Sequence, residues 1–135
     1  MRYSTSGWLN SAQEDIIVIE SVMHNENTTG AASFHAQQCI EKSLKAVLEE
    51  NRVNIPRIHD LKRIFSLTET YFQEEYDEEI IDKLNTLYIE SRYPGAFGLL
   101  PYGSPTLEDV KEFYEAAKNI VESVKRYIAV KDSSE

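Results

Sequence analysis

The feature that most constrains this chain is a heptad repeat of apolar residues near its C-terminus. The repeat advances in alternating steps of three and four residues through Leu107, Val110, Tyr114, Ala117, Val121, Val124 and Ile128. Steps of three and four return to the same face of an α-helix, so these side chains form one continuous seam. The repeat therefore predicts a long helix that buries this seam against other helices.

Four earlier segments show the same helical spacing. Their apolar residues are, in chain order, Trp8, Ala12, Ile16, Ile19 and Met23; Phe34, Ala36, Ile40, Leu44, Val47 and Leu48; Leu61, Ile64, Phe65 and Phe72; Ile80, Ile81, Leu84, Leu87 and Tyr88. No segment alternates with period two, and no Asn-Gly or Asp-Gly hairpin turn occurs. We therefore predict an all-α, up-and-down helical bundle of four long helices and one short helix. We expect residues 1–135 to form one domain, with its core in about 7–130 and a frayed tail after Val130.

Polar residues suggest where the helices begin and end. Ser4, Thr5 or Ser6 is expected to cap the first helix. Residues 25–30 are of types that are frequent in turns, so they are expected to end this helix. Asp60 is a candidate cap for the third helix. Ser104 is expected to cap the last helix, with Pro105 in its first turn. The fourth helix must end by Pro94, because a proline disfavours helical geometry at the preceding residue.

Composition excludes several classes of protein. The single cysteine, Cys39, excludes an intramolecular disulfide framework and fits a reducing compartment. The sequence lacks the ~18-residue apolar run that a membrane span requires, so a cytoplasmic protein without membrane association is expected. Its three histidines include no i, i+4 pair, which argues against a metal site. No phosphate-cradling loop or nucleophile elbow occurs, so no cofactor is expected.

The segment between Tyr93 and Pro105 combines three prolines with apolar residues, among them Phe97, Leu99 and Leu100. Connections between bundle helices usually take about two to eight residues, so this one is long. It either folds over an open end of the bundle, or lines a ligand pocket or contacts a partner chain. We expect the chain to form a two-fold homodimer, the commonest symmetry of soluble oligomers.

Charge is unevenly distributed along a chain whose net charge is −9. Residues 42–63 contain six bases, whereas residues 69–90 contain eight acids and one lysine. The acidic stretch is either a solvated helix face or a docking surface for a basic partner. The basic stretch is where a phosphate would bind, because an acidic surface elsewhere repels it.

Three local motifs together resemble the HEPN domain, a small helical domain of prokaryotes also found in sacsin. They are Phe34-His-Ala-Gln-Gln-Cys-Ile-Glu-Lys-Ser-Leu-Lys-Ala46, then His59-Asp-Leu61, then Tyr88-Ile-Glu-Ser-Arg-Tyr-Pro94. They follow a first helix with Trp8, Ala12 and Asp15. The resemblance spans residues 7 to about 130. It implies a helical bundle that is often dimeric, encoded beside a minimal nucleotidyltransferase in toxin–antitoxin-like pairs, and able to bind a nucleotide or RNA.

The resemblance also suggests ligand-binding residues. Gln38, Lys42 and Lys45 are polar residues of the second helix, away from its apolar face. They form either a solvated charged face or one side of a groove for a nucleotide phosphate. Arg92, directed by the adjoining Tyr93 and the proline after it, could bind a phosphate or a nearby carboxylate. We therefore predict ligand binding by all five residues, Tyr93 included.

A metal-independent ribonuclease is the alternative. Ribonucleases of this superfamily carry an arginine followed, after four to six residues, by a histidine. After Arg92 the corresponding positions are Phe97, Gly98 and Leu99, so the histidine is missing. Arg52 and His59 have a suitable spacing but precede the third helix, where His59 is also a candidate cap. His35 is expected to be a packing residue. A binding module is therefore the first hypothesis.

Overall fold

The computed structural model describes residues 1–91 and 103–134, and it describes side chains for residues 1–88 and 103–134. The helices are α1 (Tyr3–Val22), α2 (Thr29–Glu50), α3 (Leu61–Thr68), α4 (Glu78–Ser91) and α5 (Leu107–Ser133). A short 3-10 turn, Glu26–Thr28, joins α1 to α2. The prediction of an all-α bundle with four long helices and a short third helix is confirmed. Arg92, Tyr93 and the apolar residues Phe97, Leu99 and Leu100 lie outside the described residues.

Helix α2 is the central element of the bundle. It packs against α1 and α5 and also contacts α3 and α4. Its apolar residues Ile40, Leu44 and Val47 are fully buried, as their spacing predicts. Because other helices surround α2, its polar residues Glu41 and Lys45 are buried too, at 4% and 5% exposure. The alternative of a solvated charged face is therefore wrong for Lys45, whereas Gln38 and Lys42 are half-buried.

The seam of α5 is confirmed over most of its length. Val110, Ala117 and Val121 are buried, as are the two seam residues that follow them. Leu107 at the start is 42% exposed, whereas Phe113, which lies outside the seam, is buried. A straight α-helix with 3.6 residues per turn drifts away from a strict seven-residue repeat. The buried face is therefore wider than the seam.

Helix α1 begins earlier than the sequence indicated. Arg2 occupies the N-cap position, so the predicted caps lie inside the first turn. Two of them serve a tertiary contact instead. Ser4 donates a hydrogen bond to Glu49 Oε1 at 2.6 Å, and Thr5 donates one to Glu50 Oε1 at 2.9 Å. These bonds fasten the start of α1 to the end of α2.

Of the remaining predictions for helix ends, one is confirmed and two are wrong. Asp60 caps α3 as predicted, since its carboxylate accepts from the backbone amides of residues 62 and 63. Thr106, not Ser104, caps α5. It forms a reciprocal capping box with Asp109, which satisfies two backbone donors where Ser104 would satisfy one. Gly30, predicted to lie in a turn, is the second residue of α2.

The expected frayed tail is also corrected. Helix α5 continues to Ser133 and is held at its end by contacts with distant parts of the chain. The ammonium of Met1 lies 2.7 Å from Asp132 Oδ1, and Lys131 donates to Asn51 Oδ1. None of the described helices is long and apolar enough to cross a membrane.

Candidate functional site

Two buried carboxylates organise the polar side of α2. Asp15 comes from α1 and Glu41 from α2, and each side chain is about 5% exposed. A buried carboxylate is costly unless it is paired and hydrogen-bonded. Each of the two has one lysine and one histidine as partners, so the structure contains two similar charge networks.

The first network joins α1 to α2. Asp15 Oδ1 lies 2.8 Å from His35 Nδ1, and Asp15 Oδ2 accepts a hydrogen bond from Lys42 Nζ at 2.9 Å. His35 and Lys42 are seven residues apart, which is about two helical turns, so they lie on one face of α2. The carboxylate of Asp15 bridges them from the neighbouring helix.

The second network joins α2 to the segment before α3. Glu41 Oε2 accepts from Lys45 Nζ at 2.9 Å, and Glu41 Oε1 lies 3.0 Å from His59 Nδ1. Gln37 Nε2 donates to Glu41 Oε1 and to the backbone carbonyl of His59, each at 3.1 Å. The ammonium of Lys45 also lies 5.7 Å from the ring centre of Trp8, within range of a cation–π contact. Every charged group of this network has a partner.

A strip of four rings connects the two networks at the surface. His35 meets the ring of Phe34 edge-on at 5.4 Å, Phe34 stacks on Tyr88 at 6.0 Å, and Tyr88 meets His59 at 5.0 Å. We call His35, Phe34, Tyr88 and His59 the ring strip. Phe34 is 40% exposed, although its spacing predicted a place on the buried face of α2. The strip therefore presents aromatic surface to solvent.

The histidines at the two ends of the ring strip are held in the same way. In each, Nδ1 meets a buried carboxylate, and among the described residues Nε2 has no hydrogen-bond partner. The side chains of His35 and His59 are 30% and 38% exposed. A carboxylate at Nδ1 fixes the ring orientation and leaves Nε2 to accept or donate a proton or hydrogen bond. Each end of the strip thus carries an oriented polar edge.

The structure places three of the predicted ligand-binding residues beside the ring strip. Lys42 and Lys45 are in ion pairs, and Gln38 Nε2 donates to Gln37 Oε1 at 2.7 Å. The lysines therefore neutralise the buried carboxylates, and Lys45 is too deeply buried to reach solvent. Arg92 and Tyr93, the other two predicted residues, lie outside the described residues.

The alternative pair, Arg52 and His59, is not brought together. His59 contacts Glu41, whereas Arg52 follows the end of α2; the helix from Glu41 to Glu50 alone spans ~14 Å. Arg52 lies at the mouth of a separate pocket with Arg2 and Lys131. His59 is not the cap of α3, which is Asp60; the imidazole is directed to Glu41 instead.

Sequence reasoning missed several residues of the site. Asp15 was noted only as part of a motif, and Phe34 and Tyr88 were assigned to apolar helix faces. The adjacency of Phe34 and His35 gave no usable signal, because α2 fully buries neighbouring residues elsewhere, such as Cys39 and Ile40. In the described part of the chain, no group of three or more histidine, cysteine or acidic side chains is arranged to hold a metal ion.

Cys39 lies on α2 but belongs to the core. Its pKa is raised from 9.0 to about 12, chiefly by burial and secondarily by the negative charge of Asp15. Its Sγ lies 3.8 Å from the carbonyl oxygen of Ala117 on α5. The thiol is therefore neutral at physiological pH and has no nucleophilic role.

Comparison with known proteins relates this geometry to a family. The model of the HEPN domain matches residues 5–127. A Methanocaldococcus jannaschii protein named "Putative toxin MJ1304" is 30% identical over 135 aligned positions, which cover 92% of this chain and 88% of the relative.

Two crystal structures share the fold. One is ST0689, described as an archaeal HEPN homologue, with a TM-score of 0.64, 20% identity, and coverage of 95% of this chain and 99% of that one. The other is TT1696 from Thermus thermophilus, with a TM-score of 0.65, 21% identity, and coverage of 93% and 99%. At these identities the likeness concerns the fold alone.

Proposed function

Because this chain belongs to the HEPN domain family, we propose that it is the HEPN component of a toxin–antitoxin-type pair and binds a nucleotide or RNA at the ring strip. The relative named as a toxin supports the first half of this proposal. The ring strip supports the second half, and it is the observation that carries the proposal.

The chemistry of the ring strip suits an unpaired base. Phe34 and Tyr88 are nearly parallel, with an interplanar angle of 13°, and Phe34 is exposed. Exposed aromatic faces bind unstacked bases of single-stranded RNA, and each such contact contributes about 1–3 kcal/mol. The Nε2 atoms of His35 and His59 then provide hydrogen bonds to a base edge or a phosphate at either end.

The lysines have an indirect role in this proposal. Lys42 and Lys45 neutralise Asp15 and Glu41, so two buried carboxylates do not repel the ligand phosphate. Direct contact with a phosphate then falls to the histidines and to Arg92, the cation that follows α4 in sequence. Gln38 and Tyr93 are proposed to add polar contacts at the edge of the site.

A partner protein is the other half of the proposal. A minimal nucleotidyltransferase encoded beside this chain is the proposed second component, and a homodimer is the proposed assembly state of the HEPN chain. The motivation is family membership together with the eight acidic residues of 69–90, which suit a basic partner. Co-purification of the chain with the product of the adjoining gene tests the partner directly.

The binding proposal is tested with a fluorescently labelled single-stranded RNA and anisotropy at low salt. Phe34→Ala removes an exposed stacking surface, so it is expected to weaken binding by about 1–3 kcal/mol, roughly 5- to 150-fold. Tyr71→Ala is the matched control, because Tyr71 is also 40% exposed and lies outside the ring strip. Equal affinity of the two variants would contradict the proposal.

Salt dependence provides a second measurement. Few cations are proposed to contact phosphates at the ring strip, so the affinity for RNA should fall with salt along a shallow slope of about −0.7 for each phosphate contacted. A slope corresponding to many phosphates would place the RNA elsewhere, on a more extended basic surface.

The two oriented histidines favour one further candidate function, RNA cleavage without a metal. One imidazole Nε2 would accept the proton of a ribose 2′-hydroxyl while the 2′-oxygen attacks the adjacent phosphorus, and water would protonate the departing 5′-oxygen, which yields a cyclic phosphate and a free 5′-hydroxyl. Cleavage in the presence of a chelator, lost in His35→Ala or in His59→Ala but kept in His24→Ala, would establish this activity. His24 is an exposed histidine outside the site.

A further inference from the structure

A groove between the start of α4 and the middle of α5 has an apolar floor and acidic walls. Its volume is about 390 Å³. The floor consists of Ile80 and Ile81 from α4 and of Ala116 and Ile120 from α5. The lining residues of α5 run from Glu112 to Arg126, a length of ~21 Å along the helix axis. We call this feature the α4–α5 groove.

The walls of the α4–α5 groove concentrate negative charge. Six carboxylates line it, and Arg126 is the one base among the lining residues. The carboxylates are Glu74, Glu75, Asp77, Glu112, Glu115 and Glu122. Among the described residues none of these six takes part in a salt bridge, whereas the acids beside the ring strip are each paired with a lysine. The groove therefore carries a net negative charge, since its lining holds six carboxylates and one arginine.

This arrangement has a cost to the isolated chain. Glu112 and Glu115 are three residues apart on α5, and like charges at this spacing destabilise a helix. The apolar floor beside them is incompletely covered, since Ile80 and Ala116 are only partly buried. A bound segment that is both cationic and apolar would relieve both costs at once.

From charge complementarity and the apolar floor, we infer that the α4–α5 groove is the docking site for a cationic amphipathic helix of a partner protein. The helix would lie along α5, place apolar residues at i, i+3 or i+4 and i+7 on the floor, and direct lysines or arginines to the acidic walls. About four turns of helix match the length of the groove. The inference rests on the proposed function only for the existence of a partner. It adds where on this chain the partner binds and that the binding segment is a cationic amphipathic helix.

The groove is separate from the ring strip, although α4 contributes to both. Ile80 and Ile81 lie in the first turn of α4, whereas Tyr88 lies about two turns further along. The two sites use different side chains throughout, so a change of charge in the groove is expected to alter RNA binding no more than the same change elsewhere on the acidic surface. Each site can therefore be tested without the other.

The test uses a synthetic peptide of about 15 residues, with leucine and lysine at helical spacing, and isothermal titration calorimetry with the full chain. The triple variant Glu112→Gln, Glu115→Gln and Glu122→Gln should weaken peptide binding at least about tenfold. The matched triple variant Glu14→Gln, Glu26→Gln and Glu108→Gln removes the same charge from acids outside the groove. It should weaken binding by less than about twofold.

Three results would overturn the inference. The first is equal weakening by the two triple variants, which would mean a general attraction to an acidic protein. The second is equal binding of a lysine–serine peptide, which would exclude a role for the apolar floor. The third is self-association that the groove variant abolishes, which would assign the groove to a second copy of this chain.

Folding and RNA binding are the internal controls. Circular dichroism checks that both triple variants keep their helix content. Equal RNA affinity of the two triple variants, together with peptide binding that is lost only in the groove variant, supports the inference. Failure of RNA binding in the unmodified chain would contradict the proposed function and leave the peptide result intact.

Discussion

The substitution Glu41→Gln tests whether the buried networks stabilise the bundle. The Glu41 carboxylate accepts hydrogen bonds from Lys45 and Gln37 and lies 3.0 Å from His59 Nδ1. Glutamine keeps nearly the same shape and removes the charge. Lys45, whose side chain is 6% exposed, then retains a positive charge without a counter-ion.

The size of the effect follows from burial. Removing one partner of a buried ion pair typically costs about 3–5 kcal/mol, because the remaining charge is held away from water. A domain of this size is stabilised by about 5–15 kcal/mol in total. We therefore expect Glu41→Gln to remove a large fraction of the free energy of unfolding. Adding Lys45→Met to the same chain should restore part of it, because methionine fills the space without a charge.

The assay is urea denaturation followed by circular dichroism, which gives the free energy of unfolding. Asp82→Asn is the matched control. Asp82 and Lys62 are also 2.9 Å apart, but their side chains are 57% and 39% exposed. Exposed ion pairs contribute little because water and salt screen them. The control should leave the urea midpoint nearly unchanged.

The ion pairs Glu41–Lys45 and Asp82–Lys62 have the same nitrogen–oxygen distance. Comparing the two substitutions therefore tests the effect of burial alone. If Glu41→Gln lowered the free energy of unfolding no more than Asp82→Asn does, the description of Glu41 and Lys45 as a buried, mutually dependent pair would be wrong. A full loss in Glu41→Gln with no recovery in Glu41→Gln combined with Lys45→Met would place the cost in the contact with His59 instead.

Four further predictions concern the core, the helix ends and assembly. The Cys39 thiol should resist disulfide reagents until the protein unfolds. Because its pKa rises from 9.0 to about 12 on folding, stability should fall as pH increases between these values, where only the unfolded thiol ionises, as urea midpoints would show. Thr106→Ala should lower the free energy of unfolding by ~1 kcal/mol through loss of the α5 capping box; no change in the urea midpoint would argue against that cap. Val121→Asp should cost several kcal/mol, because position 121 is 1% exposed, and an unchanged melting temperature would contradict the core assignment. Sedimentation at tens of micromolar should show a dimer; a monomer would refute self-association.

The helices could be predicted from the sequence because their signal is local. The spacing of Ile16 and Ile19 in α1, and of Val121 and Val124 in α5, reports which face of each helix is apolar. These residues are buried in the structure. The Asp60 cap was likewise predictable, since the carboxylate and the amides that it accepts from are only two or three residues apart.

The remaining helix ends required tertiary information. Ser4 and Thr5 resemble caps by residue type, but their hydroxyl groups donate to carboxylates more than forty residues away. The end of α5 is held by Met1 and Asn51, whose positions no local pattern reports. A polar side chain takes the partner that the fold places nearest, and that partner is often distant in sequence.

The candidate site depended on the tertiary structure more than the helices and their ends did. The motif singled out the second helix as the place of the candidate site, and Lys42 and Lys45 lie on that helix. Their role depends on Asp15 of α1 and Glu41 of α2, because a lysine beside a buried carboxylate neutralises it, whereas a lysine in solvent attracts a ligand. The ring strip likewise joins α2, α4 and the segment before α3. Periodicity determines which face of a helix is apolar, but only the packing of α2 among its neighbours decides which polar groups are buried together and which rings remain at the surface.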